Sequence, residues 1–138
     1  MSEDKHDRLR AEFEAMREDI AVRAAARETA SHKAFDAQRA AHREETAAWD
    51  QLTRLREARR GEPGNLSLVA QADQAEAAYE GAREIAEAVT RTAESLAQRA
   101  LEASMAESRR LAELGGRLRA ARSAAFPPPG STRMDRAR

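Results

Sequence analysis

The 138-residue chain has no cysteine, 4 prolines, 6 glycines and aromatic side chains at only 4% of its positions. Each shortage excludes something. Without cysteine there is no disulfide, no thiolate nucleophile and no cysteine-bound zinc. From Glu3 to Arg60 neither proline nor glycine interrupts the backbone, which fits helix and argues against turn-rich β-structure. No window approaches 18 apolar residues, so no membrane span is expected, and the start MSEDKHDRLR lacks the apolar core of a signal peptide. A cytoplasmic protein is the default expectation, with export without a cleaved signal left open. A net field is missing too. The 24 basic and 24 acidic residues cancel, so no global charge draws the chain to nucleic acid or to a membrane surface.

What is present is alanine and charge. Hydrophobic residues are 41% of the chain, but 33 of them are alanine and only 24 are larger, which suits a narrow apolar seam better than a thick core. Charged residues make up 35%, and the dominance of Ala, Glu, Arg and Leu is the composition of long helices and coiled coils. Leu9, Phe13, Met16 and Ile20 step along one helical face. The stripe continues through Ala24, Ala34 or Phe35, Ala41, Ala48 or Trp49, Leu52 and Leu55, close to a seven-residue repeat. Unbroken, this first arm would be about 87 Å long at 1.5 Å per residue.

The stretch RLREARRGEPGNLSLVAQ, Arg54 to Gln71, reads as stop, turn and restart. Arginines crowd the end of the first arm, where they complement the helix dipole. Gly61 can take the left-handed backbone that commonly closes a helix, and Pro63 and Gly64 oppose continuation. Asn65 or Ser67 can cap the next helix. The second arm carries Val69, Ala72, Ala75, Tyr79, Ala82, Ala86, Val89, Ala93 and Leu96 at heptad-like steps. Beyond Leu101 and Met105 the register shifts toward Leu111, Leu114 and Leu118, as a stutter would shift it. Gly115-Gly116 is expected to fray or bend the end. FPPPGSTRMDRAR, residues 126–138, is expected to be a flexible, basic, proline-rich tail.

Two arms of nearly equal length joined by a few residues predict an all-α, elongated antiparallel two-helix hairpin: arm one 3–60, turn 61–65, arm two 66–125. Facing residues should then have numbers totalling about 127. Leu9 with Leu118, Phe13 with Leu114, Met16 with Leu111, Leu52 with Ala75 and Leu55 with Ala72 meet that total. Trp49 with Tyr79 and Ile20 with Met105 come close. Charge agrees, because residues 1–19 carry net −3 and would face 109–122 at net +4, while basic 54–60 would face Glu62, Asp73 and Glu76. The core expected on this basis is Leu9, Phe13, Met16, Leu52, Leu55, Leu111, Leu114 and Leu118. Between 23 and 48 only Phe35 is a large apolar group, so self-association or a partner helix is expected to cover the alanine face there.

Chemistry-bearing patterns are few. Glu3 and His6 have the E-x-x-H spacing of carboxylate-bridged metal sites, but no second pair exists, and His32 and His42 do not share a helical face. GEPGN lacks the lysine, hydroxyl and preceding strand of a phosphate loop. The carboxylates have no concavity to shift their pKa values. No catalytic, cofactor or metal site is expected, and the chain is read as a non-enzyme. TRLREARR, RRLAELGGRLRAAR and tail residues Arg133, Arg136 and Arg138 could contact phosphates; acidic segments facing both helical clusters favour charge pairing within the hairpin instead. Phe35, Trp49 and Tyr79 are the candidate partner-interface residues.

The layout of both arms resembles the coiled-coil stalk proteins of type III secretion, hairpins of similar length that engage an export ATPase. AAWDQL (47–52) followed by AAYEGA (77–82) resembles the tryptophan turn and following helix of the WXG100 secreted hairpins, with Gln51 where that family carries glycine and Trp49 placed 12 residues before Gly61. These resemblances imply an alternative role as a secretion-system component; an arginine-based nucleic-acid binder is the other alternative. The reading that comes first is a non-enzymatic assembly module that docks helix on helix, with a copy of itself or another protein.

Overall fold

A computed structural model describes residues 2–127 and 129. Among these the regular elements are two helices, α1 (Ser2–Gly61) and α2 (Leu66–Ala125), packed against each other as a helical hairpin. Neither helix is long and apolar enough to cross a membrane. Most of the expected tail, Arg133, Arg136 and Arg138 included, lies outside the described residues.

The turn is built from hydrogen bonds that the two helix ends would otherwise lack. The Glu62 N–H donates to the Ala58 and Arg59 carbonyls, both at 3.2 Å, and the Asn65 N–H donates to the Glu62 carbonyl at 3.0 Å. Asn65, not Ser67, is the cap: its Oδ1 accepts from the Ser67 and Leu68 N–H groups at 3.1 and 3.3 Å, while its carbonyl takes the first helical bond, from Val69 at 3.2 Å. Gly61 does not adopt the expected left-handed backbone; it is the last residue of α1. Pro63, with no N–H to give, is what prevents further helix.

Packing divides the chain into two compact units, Met1–Arg27 with Ala100–Arg138 and Glu28–Arg99. In the first, Leu9, Leu114 and Ala121 are buried and Phe13, Met16 and Leu118 pack against them. Gly115 lies beside Phe13, where an added Cβ would sit 3.4 Å from the ring, at the near edge of ordinary contact. The helix runs through Gly115-Gly116 to Ala125, not fraying as its sequence suggested. Phe126 stacks edge-on against His6, ring centroids 5.6 Å apart.

In the second unit the buried side chains are Ala41, Leu52, Ala72, Ala75 and Ala86, with Leu52 only 1% exposed. Where the sequence offered two choices, the small residue faces inward each time. Ala34 and Ala48 are half-buried, whereas Phe35 and Trp49 lie outside the seam. Phe13 against Gly115, Gln38 against Thr90 and Trp49 against Tyr79 have numbers totalling 128, one from the expected register.

The heptad steps of α2 continue without a break from Ala72 to Glu107 and then skip to Leu111, Leu114, Leu118 and Ala121. This is the expected register shift, and it leaves Met105 52% exposed and Leu101 56% exposed, outside the run of buried and half-buried seam positions. On α1, Ala21 to Ala26 are all exposed, Ala24 included, before Arg27 turns inward. A carboxylate and a guanidinium thus occupy seam positions in the first unit.

Candidate functional site

That carboxylate is Glu107, the one buried charged residue among those described, at 7% exposure. Both of its oxygens are engaged. Arg27 forms a two-pronged pair with it, Nη1 donating to Oε2 at 3.3 Å and Nη2 donating to Oε1, and Arg23 Nε lies 3.2 Å from Oε2. The Arg27 hydrogen bonds hold the Glu107 carboxyl below the ordinary carboxylate range; burial pushes the other way, and the positive charges of Arg27, Arg23 and Arg110 add to the lowering. The group is a locked anion that fixes the two helices at this level. Sequence reasoning missed it by following apolar residues along the stripe. The available signal was a glutamate four residues before Leu111, at the step where the stripe skips.

Charge pairing near the N-terminus departs from expectation. Among the described residues no ion pair within 4.0 Å joins the acids of 3–19 to the arginines of 109–122. Arg10 instead pairs with Glu14 along α1 at 3.4 Å, and His6 lies 3.6 Å from Asp7. Near the turn one expected partnership is made, Arg56 with Glu76 at 3.7 Å.

Outward-facing apolar groups supply the better candidate for function. Phe35 is 53% exposed and Trp49 46% exposed. They occupy the same helical position two heptads apart, immediately beside the seam. The Trp49 ring packs on Tyr79 with centroids 5.0 Å apart, so two of the three sequence candidates meet each other while Phe35 stands away from both. The Arg39 guanidinium lies over the Phe35 ring at 4.8 Å. Beside Phe35 an open groove of about 440 Å³ is lined by Ser31 and Gln38 of α1 and by the small Ala93 and Ala97 of α2.

The residues between and beyond these aromatics keep the same spacing. Glu28, Phe35, His42, Trp49 and Arg56 recur every seven residues, and in a helix whose seam also repeats every seven they form one straight stripe. His42 sits midway, its Nδ1 3.6 Å from Glu45 and its Nε2 3.5 Å from the Thr90 hydroxyl. His32 lies near Glu28 at 3.7 Å and does not join His42. Shallow, open and flanked by charge, this face suits contact with another helix. No known protein family, curated protein or solved structure matches the chain.

Proposed function

We propose that the protein is a non-enzymatic assembly module, a cytoplasmic coiled-coil hairpin that works by docking the Phe35–Trp49 face of α1 against another helix. The observation that carries this reading is the placement of the aromatics. A two-helix unit with few large apolar residues leaves Phe35 about half-exposed while alanines fill its seam. Burying an aromatic contributes far more than burying an alanine. The groove between Phe35 and Ala97 can receive a side chain from a partner, and the charged flanks can set its direction.

A photo-crosslinking side chain introduced at Thr46, exposed beside the stripe, tests the reading. In cell lysate it should give a discrete protein adduct, to a second copy or to another chain, and Phe35→Ser should abolish that adduct without lowering helicity. Absence of any protein adduct, or an adduct indifferent to Phe35→Ser, would sink it.

A further inference from the structure

The stripe Glu28, Phe35, His42, Trp49, Arg56 is self-complementary about its centre: acid, aromatic, histidine, aromatic, base. A two-fold axis through His42 that lays α1 antiparallel on a second α1 brings together residues whose numbers total 84. Phe35 then faces the second copy's Trp49, twice, and Glu28 faces its Arg56, twice. On the flank away from the seam, residues 32, 39, 46 and 53 pair among themselves under the same operation, so Arg39 meets Thr46 and His32 meets Thr53, and no like charges are brought together there. A parallel pairing would set Glu28 on Glu28 and Arg56 on Arg56, which is repulsive at both ends.

We infer that the occupant of this face is a second copy of the chain, docked antiparallel about an axis at His42. The inference rests on the docking reading above and names its partner. All five residues lie within the unit Glu28–Arg99, so one compact unit of each copy makes the contact. An interface of this kind is isologous: each patch meets itself, and the contact closes at two copies. The groove beside Phe35 is where the second copy's Trp49 seats, since Ala93 and Ala97 leave room there. Glu28, 76% exposed and 3.7 Å from His32, and Arg56, 3.7 Å from Glu76, are each held only at long range, so both charged ends can turn to engage across the axis.

Because the chain lacks cysteine, a single introduced cysteine reports geometry cleanly. The purified 138-residue chain should sediment as a dimer in the micromolar range. Glu28→Arg and Arg56→Glu, each checked for helicity, should separately weaken the dimer by at least about tenfold, since each sets like charges against each other at two places. Mixed in equal amounts, the two variants should form a heterodimer, because every reversed charge then meets its opposite. Under mild oxidation His42→Cys should give a disulfide-linked dimer, while Lys33→Cys should not. A monomeric wild type, a dimer indifferent to both reversals, or a dimer in which His42→Cys does not crosslink overturns the inference. The docking reading falls separately: a monomer whose Thr46 adduct to another protein is still lost on Phe35→Ser removes the second copy and keeps the docking face.

Discussion

The two units of this hairpin solve the same packing problem with different residues. In the unit formed by Met1–Arg27 and Ala100–Arg138, leucines, Phe13 and Met16 make a conventional apolar cluster, interrupted by a buried glutamate held by arginines. In Glu28–Arg99 the buried residues are alanines and Leu52, with Ser31, Gln38 and Glu45 half-buried on α1 and the aliphatic Leu55, Leu68, Val69, Val89 and Leu96 half-buried beside them. A buried alanine gains little, roughly the 0.8 kcal/mol of one methyl-sized group. Each unit leaves large apolar groups outside its seam, Leu101 and Met105 among them in the first and Phe35 and Trp49 in the second, but in the second the two are aromatic and share one stripe.

That contrast can be broken, and Leu52→Ala should do it most severely. With no large neighbour fully buried beside it, the loss should approach the upper part of the 2–5 kcal/mol typical of such truncations, about 4 kcal/mol. Leu114→Ala should cost less, about 3 kcal/mol, because Phe13, Met16 and Leu118 are only partly buried and can relax into the space. Hydrogen exchange read separately over 28–99 and over 1–27 with 100–125 checks that each loss stays in its own unit. Overfilling the alanine seam comes next: Ala86→Leu, at a position 1% exposed, should cost about 2 kcal/mol by thermal denaturation.

The buried carboxylate makes the first unit sensitive to acid. Glu107 has a lower pKa folded than unfolded, so the unfolded chain takes up the proton first. Its contribution is in place above the ordinary carboxylate range and is lost as pH falls through the depressed folded value. Glu107→Gln should therefore flatten the acid limb of a plot of Tm against pH. Replacing Glu107 and Arg27 together with leucine should leave stability equal or higher, since a hydrophobic pair avoids desolvating charge.

The smallest effects sharpen the comparison at its glycines. Gly81→Ala and Gly116→Ala should each stabilise by up to about 1 kcal/mol, as no atom other than the Arg119 guanidinium tip, at 4.0 Å from the Gly116 position, comes near an added Cβ. Gly115→Ala should gain less, because its Cβ would come to 3.4 Å from the Phe13 ring, the near edge of ordinary contact. Urea denaturation of the three variants side by side checks the order.

Much of the fold was legible because it is local. Breaker-free runs, a proline after a glycine and a capping asparagine act within a few residues, and the apolar steps placed the two arms opposite each other to within one residue. The candidate face was half legible. Phe35, Trp49 and Tyr79 stood out as large groups in an alanine-rich chain, but Ala34 and Phe35, or Ala48 and Trp49, are neighbours that fit the periodicity equally well. Which of each pair turns inward depends on how closely the second helix approaches. Glu28 drew no attention, His42 was weighed only as a metal ligand and Arg56 only as one of a basic cluster, because charged residues every seven positions are common on solvated helix faces and acquire meaning only once the seam direction is known.

The sequence alone determined two helices, the turn between them and their antiparallel pairing, since helix propensity, capping and apolar period are properties of short segments read one at a time. Only the tertiary structure decided that alanines would meet across the second unit and leave the aromatics outside, that Glu107 would be enclosed by Arg23 and Arg27, and that α2 would continue as helix past its paired glycines. Each of those outcomes depends on the distance between two backbones and on which side chains compete for the same space. Contacts between residues some thirty to eighty positions apart decide that competition, and no local pattern encodes it.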